Sequence, residues 1–280
     1  MFDARIVTIY HQNPYIHSAL DFPSDLWTRF MHWTHRTYPY GPIWLLITLP
    51  FSFLGFGKFV LTLFNFKFLF TLFHLGNVYF IYKILTKLNP KLSLLGTALY
   101  AFNPVVLIES LVSPHNEVAM LFFLLLGIYF ISSGKNSAMS ILNLLLSAGI
   151  KFATIILLPL FLFIKIADKP DKYMHRILLF LLIMVLPVIL EIIYREPYSW
   201  YFIPLIGMGA LLVKYSRINI LISGISLAAF LRYLPFIYTG DYSRPVRNVQ
   251  DLIFISTISI TILIIFIYSF TQKMINKKIK

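Results

Sequence analysis

Apolar residues fill most of the chain in long runs, and short polar segments separate those runs. Because a helix of about 20 apolar residues is needed to cross the hydrocarbon core of a bilayer, such runs predict membrane-spanning helices. Seven spans are predicted, over 59–83, 92–109, 116–133, 177–193, 198–213, 218–238 and 251–270. We therefore expect an all-α polytopic membrane protein, a helical bundle with about nine spanning helices in total.

Two apolar runs have the wrong length for one simple span. The run 138–166 would form a helix about 43 Å long, too long for a core of about 30 Å, and Lys151 interrupts it. It predicts two short helices that meet near Lys151. Pro42–Gly55 would be only about 21 Å long, so it predicts a re-entrant or interfacial helix.

The composition supports a bilayer rather than water as the solvent. Hydrophobic residues make up 59% of the chain and charged residues 12%, with a mean hydropathy of +0.79, which excludes an ordinary soluble domain. The chain has no cysteine, which excludes a disulfide framework, Cys-ligated zinc and iron–sulfur clusters.

The net charge of +13 could indicate nucleic-acid binding, but its distribution indicates membrane topology instead. If 59–83 leads to the cytoplasm, the inner segments hold 14 of the 24 basic residues, whereas Asp168 and Asp171 are the only inner acids. The inner basic residues are Lys83, Lys87, Lys91, Lys135, Lys165, Lys169, Lys172, Arg176, Lys214, Arg217, Lys273, Lys277, Lys278 and Lys280. This predicts a multi-pass protein of the cytoplasmic membrane with the N-terminus outside, nine crossings and the C-terminus inside.

The polar and aromatic residues outside the spans gather at the predicted outer side. They fall in Met1–Gly41, Glu109–Glu117, Lys151, Tyr194–Tyr201 and Thr239–Asp251. Pores and pumps carry such groups along a path through the bilayer, so a concentration at one end favours an enzyme that acts at the outer surface. No internal repeat is visible, which weakens an inverted-repeat transporter fold.

The first outer segment contains Asn13-Pro14-Tyr15 and the run Thr37-Tyr38-Pro39-Tyr40-Gly41-Pro42. Proline and glycine predict a rigid turn that leads into the short helix, and its tyrosines could equally form an interfacial aromatic belt. The segment's four histidines are irregularly spaced, which is typical of a solvated loop rather than a metal site. They are His11, His17, His32 and His35.

The second outer loop places Glu109, His115 and Glu117 within nine residues of one another. These side chains could bind a divalent metal or a sugar. The same residues could equally be ordinary helix ends, with Asn116 as a cap and Glu117 at the positive end of the helix dipole.

Several basic residues could hold an anion. Lys151 lies deep in an apolar stretch, where a charge is costly unless it is paired or hydrated, so it either binds an anionic ligand or reaches for the interface. Arg244 and Arg247 suit a phosphate or an ion pair with Asp241. Within 59–83, a polar stripe predicts hydrogen bonds between helices. It consists of Lys67, Thr71, His74 and Asn77.

The order of short motifs resembles the GT-C superfamily of membrane glycosyltransferases, and most closely its bacterial α-mannosyltransferase branch. The motifs are NPY, YPYGPIWLL, FNPVVLIE followed by SPHNE, AGIKF and SWYFIPL, between Asp3 and about Arg247. Two departures stand out. Phe2-Asp3-Ala4-Arg5 falls where the family has an Asp-Gly-Arg-like stretch, and His115-Asn116-Glu117 replaces the family's His-Asn-Asp.

The resemblance implies a polyprenyl-phosphate-sugar donor, a glycan or glycolipid acceptor and an active site at the outer face. It implies that Asp3 is the catalytic base and that Lys151, Arg244 and Arg247 bind the donor phosphate. The remaining expected substrate-binding residues are Arg5, Asn13, Tyr15, Tyr38, Tyr40, His115, Asn116, Glu117, Trp200 and Tyr201. No cofactor is required by these motifs, and a divalent cation on Glu109, His115 and Glu117 is left open.

These inferences divide the chain into three regions. Residues 1–57 are expected to form an outer catalytic loop with its short interfacial helix, 58–272 a transmembrane domain, and 273–280 a basic cytoplasmic tail. Because nothing precedes the polar segment 1–41 to carry it across the membrane, we expect the natural chain to have one more N-terminal helix. A transporter or flippase of a lipid-linked or anionic substrate, and a non-catalytic truncated family member, are the alternatives.

Overall fold

The computed structural model describes residues 1–133, 137–163 and 170–278. The protein is 80% helical, and the described residues contain no β-strand, which confirms the all-α prediction. Its α-helices are α1 Phe2–Thr8, α2 Pro42–Phe53, α3 Phe59–Leu88, α4 Ser93–Ala101, α5 Pro104–Leu107, α6 Glu117–Ser132, α7 Ser137–Ile150, α8 Leu158–Phe163, α9 Pro170–Tyr194, α10 Ile203–Leu211, α11 Ser216–Leu231, α12 Leu234–Thr239 and α13 Arg244–Lys278.

The helix α3 forms the centre of the bundle and packs against α2, α4 and α6. Its buried residues recur every three or four positions, which places them on one helical face. Two residues of the polar stripe, Lys67 and Asn77, form the predicted hydrogen bonds to neighbouring elements, whereas Thr71 bonds to the Lys67 carbonyl of its own helix. Asn77 donates to the Tyr100 hydroxyl at 2.9 Å and to the Val118 carbonyl at 3.0 Å, and Lys67 donates to the Leu111 carbonyl at 2.8 Å. Lys67 and Asn77 thus connect α3 to the elements packed against it.

The predicted break near Lys151 is confirmed. The helix α7 ends at Ile150, Lys151 is extended, and a 3-10 turn over Phe152–Leu157 leads into α8. Residues 164–166 of the predicted run lie outside the described residues. The short α2 was also predicted, and it starts directly after Gly41 with Pro42 in its first turn. Its placement at the membrane interface stays a prediction.

The span predicted over 92–109 is bent and is not one straight helix. Two segments, Pro90–Ala101 and Pro104–Val112, meet there at an angle of 54°. The cause is local: the Asn103 side chain caps α5 by accepting the amides of Val105 and Val106, and Pro104 has no amide hydrogen with which to continue α4. The second segment ends in a π-helical turn over Ile108–Val112.

Four helices in the described part of the chain are long and apolar enough to cross a membrane, or five if the bent pair counts as one span. They are Phe59–Leu88, Tyr173–Tyr194, Ser216–Thr239 and Arg244–Asn276. The regions predicted as spans over 116–133 and 198–213 form shorter apolar helices, Glu117–Ser132 and Ser199–Leu211. The count of about nine crossings is therefore not confirmed.

The predicted topology and domain boundaries stay predictions. Lys135, Lys165, Asp168, Lys169 and Lys280 of the charge pattern lie outside the described residues. The segment before α2 has a small hydrophobic core of its own, formed by Phe2, Ile6 and Ala19. At the other end of the chain, α13 continues through the start of the expected tail 273–280 as far as Lys278.

Candidate functional site

Five segments of the chain meet at one place: the start of α1, the turn 38–41, the start of α6, the end of α7 and a 3-10 turn over Ser199–Phe202. A backbone contact fixes two of them. The Gly41 amide donates to the Ile150 carbonyl at 3.0 Å, and a Cβ atom on Gly41 would collide with the carbonyl of Gly149. Glycine is therefore required at this contact, which brings the turn 38–41 against the segment that carries Lys151.

An ion pair between Glu117 and Lys151 lies at the centre of this place. The Lys151 ammonium donates to Oε1 of Glu117 and sits 4.6 Å from the centre of the Tyr201 ring. Glu117 is only 2% exposed, and its Oε2 has no hydrogen-bond partner among the described residues. Lys151 keeps 20% of its side chain exposed, so the pair reaches the surface through the lysine.

Asp3 and Tyr40 belong to the same neighbourhood. Burial raises the pKa of Tyr40, and the nearby carboxylates of Glu117 and Asp3 raise it further. Burial also raises the pKa of Asp3 above its usual range. The structure therefore brings together three of the predicted site residues, Asp3, Tyr40 and Glu117, across more than 100 positions of sequence.

Tyrosines from the first segment form one wall of the site. The ring centres of Tyr15 and Tyr38 are 5.1 Å apart and those of Tyr38 and Tyr40 are 5.6 Å apart, all edge to face. The Tyr15 hydroxyl donates to the Tyr40 carbonyl at 3.1 Å, and Asn13 accepts the Tyr15 amide at 3.0 Å. Asn13 and Tyr15 thus support the turn that presents Tyr40.

A second polar pair, Glu109 and His115, stands beside the first. Nδ1 of His115 is 2.7 Å from Oε2 of Glu109, and the Tyr233 hydroxyl donates to Oε1. The His115 ring stacks on Trp200 with ring centres 4.0 Å apart, and Trp200 stacks in turn on Tyr198 at 4.4 Å. Trp200 and Tyr201 are in edge-to-face contact, which joins this pair to the ring beneath Lys151.

Glu109, His115 and Glu117 do not assemble as a three-ligand set. Glu109 faces His115 and Tyr233, whereas Glu117 faces Lys151. Over residues 1–133, 137–163 and 170–278, no group of three or more His, Asp or Glu side chains is placed to hold a metal ion. The interpretation of Asn116 as a helix cap is not supported, because its side chain makes no capping hydrogen bond.

The remaining predicted residues lie farther from the ion pair or have other partners. Arg5 pairs with Asp25 at 2.6 Å and its guanidinium lies 4.0 Å from the centre of the Trp27 ring, so it holds the N-terminal segment together. Arg247 pairs with Glu196 at 3.3 Å and does not pair with Asp241, which accepts the Ser243 amide instead. Arg244 is exposed at the start of α13.

Sequence reasoning missed three residues of the site. Arg36 lies 5.1 Å from the centre of the Trp33 ring, and its charge acts on Tyr40. Arg195 pairs with Glu191 at 3.4 Å and interacts with the Tyr201 hydroxyl. Tyr233 comes from a segment 124 positions away from its partner Glu109. No local motif marks them, because each reaches the site through tertiary packing.

A cavity of about 430 Å³ opens at the opposite end of α3. Its lining consists of Leu88, Asn89, Pro90, Lys91, Met174 and Lys214. None of the predicted site residues lines it, so we place the chemistry at the convergence of the five segments.

A family model described as alpha-(1->6)-mannopyranosyltransferase, N-terminal domain, of the MptA_B family, matches residues 6–167. This match covers more than half of the 280 residues and includes Tyr40, Glu117 and Lys151. No curated protein and no solved structure matches the chain.

Proposed function

The chain belongs to the MptA_B family of alpha-(1->6)-mannopyranosyltransferases, and from this premise we propose that it uses a polyprenyl-phosphate-linked mannose donor. The acceptor is a glycan or glycolipid at the outer face of the cytoplasmic membrane. One observation carries this proposal. The buried carboxylate of Glu117, with one oxygen unpaired among the described residues, stands beside the partly exposed Lys151, which lies over the Tyr201 ring.

This arrangement suits displacement at an anomeric carbon. A carboxylate removes the proton of the attacking acceptor hydroxyl, and cations stabilise the charge that develops on the departing phosphate. The family resemblance implies Asp3 as the base, and Glu117 is the other carboxylate at the centre of the site. Lys151 is the cation at the centre of the site, and Arg244 and Arg247 at the start of α13 are further candidates for the phosphate.

Aromatic rings supply the second requirement, a surface for sugar. Tyr40 and Trp200 present partly exposed rings from two separate segments, with Tyr38 and Tyr201 buried against them. The His115 ring extends the Trp200 stack. Asn116 adds a polar group at the start of α6. Such rings bury the apolar faces of a sugar while nearby polar groups bind its hydroxyls.

A lipid-linked donor also accounts for the apolar surface beside the site. The helix α2 starts at the turn 38–41 and carries exposed Leu46 and Phe53, at 60% and 68%. A polyprenyl chain remains in hydrocarbon against such a face while its phosphate reaches Lys151.

The donor site is tested by thermal unfolding of the detergent-solubilised protein with undecaprenyl phosphate. A ligand that binds only the folded state raises its stability by mass action, so we expect a higher Tm. The increase should be smaller for Lys151→Ala and for the Arg244→Ala/Arg247→Ala variant. Lys91→Ala, in the cavity at the opposite end of α3, is the matched control and should respond like the wild type.

Undecaprenol, which lacks the phosphate, should give no comparable increase. An unchanged Tm of the wild-type protein at saturating undecaprenyl phosphate would rule out the proposed donor site. If the lipid phosphate stabilises the protein, transfer from polyprenyl-phosphate mannose to a mannoside acceptor is the direct assay of the activity.

A further inference from the structure

Glu117 carries a hydrogen-bonding capacity that the fold leaves unused. Oε1 receives the Lys151 ammonium, whereas Oε2 is buried and has no partner in the described part of the chain. A buried polar atom without a partner costs free energy, so native structures leave few of them without a reason. An unpaired carboxylate oxygen beside an accessible cation indicates a place for a ligand's hydroxyl donor.

The residue next to Glu117 has the complementary property. Asn116 is 4% exposed, and its Nδ2, which is a donor, also has no partner among the described residues. A hydroxyl group both donates and accepts, so an unpaired acceptor and an unpaired donor on neighbouring residues suit a hydroxyl-bearing ligand. Both residues lie within the matched region 6–167, whereas Asp3 lies before it.

We propose that Glu117, rather than Asp3, takes the proton of the acceptor hydroxyl; this inference rests on the proposed function. The acceptor O–H donates to Oε2 of Glu117. As the acceptor oxygen forms its bond to the anomeric carbon, the bond from that carbon to the phosphate oxygen breaks. The bonding electron pair leaves with the phosphate, and the proton moves to Oε2.

The pairing of Glu117 with Lys151 couples this proton transfer to the departure of the phosphate. In the resting site the ammonium compensates the carboxylate. Protonation of Glu117 removes that negative charge at the step in which the phosphate gains one. Lys151 then interacts more strongly with the leaving phosphate, so one cation contacts both the carboxylate and the phosphate.

The test compares Glu117→Gln, Glu117→Asp and Asp3→Asn in two assays. One is mannosyl transfer from polyprenyl-phosphate mannose to a mannoside acceptor, with kcat and KM measured separately. The other is the Tm increase with undecaprenyl phosphate. We expect Glu117→Gln to lower kcat by about a hundredfold or more while the lipid phosphate still raises the Tm. Glu117→Asp, which keeps the charge, should retain more kcat than Glu117→Gln, and Asp3→Asn should retain more as well.

Three outcomes would overturn the inference. In the first, Glu117→Gln keeps a kcat within about threefold of the wild type. In the second, Asp3→Asn loses more kcat than Glu117→Gln. In the third, Glu117→Gln loses both its kcat and its Tm increase with undecaprenyl phosphate. If Glu117→Gln does not fold, the kcat of Glu117→Asp tests the inference. A carboxylate with only a structural role would leave the kcat of this variant near that of the wild type, whereas a displaced base would lower it. A wild-type protein that transfers no mannose from this donor would contradict the proposed function itself, which separates the two failures.

Discussion

At the scale of single residues, the partners of each charge determine its role. From its position in an apolar stretch, Lys151 was expected to bind an anionic ligand or to extend to the interface, and in the structure it pairs with Glu117. Arg5 was expected to touch substrate, but it pairs with Asp25. Sequence spacing cannot distinguish these roles, because Lys151 and Glu117 are 34 positions apart and Arg5 and Asp25 are 20 apart.

Asp25 gives a prediction about pH. Burial alone would raise its pKa, but hydrogen bonds from Tyr10, Arg5 and the Trp27 amide outweigh burial and lower the pKa below its usual value. A carboxyl whose pKa is lower in the folded state stabilises the fold above the unfolded-state pKa of about 3.9, and that contribution is lost as the pH falls through the folded-state pKa.

We therefore expect the Tm of the wild-type protein to fall more steeply than that of Asp25→Asn on acidification below about pH 4. The measurement is thermal unfolding in detergent over a pH series. Asp21→Asn, in the same segment but exposed, is the control. Parallel curves for wild type and Asp25→Asn would contradict a stabilising role for this carboxylate.

At the scale of elements, local rules predicted where helices begin and end better than how long they are. The break before Lys151, the short α2 and the start of α3 at Phe59 all follow from the pattern of apolar residues and proline. The bend after α4 was missed, although Asn103-Pro104 carries its signal, because the apolar run continues across it. Hydropathy reports the solvent of a segment and is insensitive to a change of direction within it.

The contact between α7 and the turn before α2 gives a second prediction. Gly41→Ala would place a methyl group against the Gly149 carbonyl, so the turn 38–41 must move away from Lys151. We expect a loss of about 1–3 kcal/mol in stability and a larger loss of transfer activity than of folded protein. Thr37→Ala, at an exposed position of the same segment, is the control and should change neither. Wild-type activity in Gly41→Ala would show that the turn's position is not critical.

At the scale of the whole molecule, the fold class was predictable from the sequence, but the contacts that form the candidate site were not. The five converging segments fall largely within the regions predicted to be outer, and the role of the site stays a prediction. The contacts between these segments depend on how the helices pack, and no local sequence pattern specifies that packing. Tyr233 and Glu109, for example, are in contact although 124 positions separate them. Arg36 and Arg195 were missed for the same reason.

The topology can be tested because the chain has no cysteine. Single variants Thr37→Cys and Lys91→Cys place a thiol near the site and near the opposite end of α3, respectively. In right-side-out membrane vesicles, a membrane-impermeant maleimide should label Thr37→Cys directly. It should label Lys91→Cys only after the vesicles are permeabilised. The reverse pattern would invert the proposed orientation, and the wild-type chain serves as the unlabelled control.

The helix α13 has a consequence for the choice of lipid. The helix Arg244–Asn276 has 33 residues and is about 50 Å long, whereas the apolar run predicted within it covers only 251–270, and only 6% of its most apolar window is buried. Because the hydrocarbon core is only about 30 Å thick, the polar ends of this helix extend beyond it. Because α13 packs against α11 and α12 and carries Arg244 and Arg247 in its first turn, the depth at which the bilayer holds α13 determines how far these two arginines stand from the hydrocarbon.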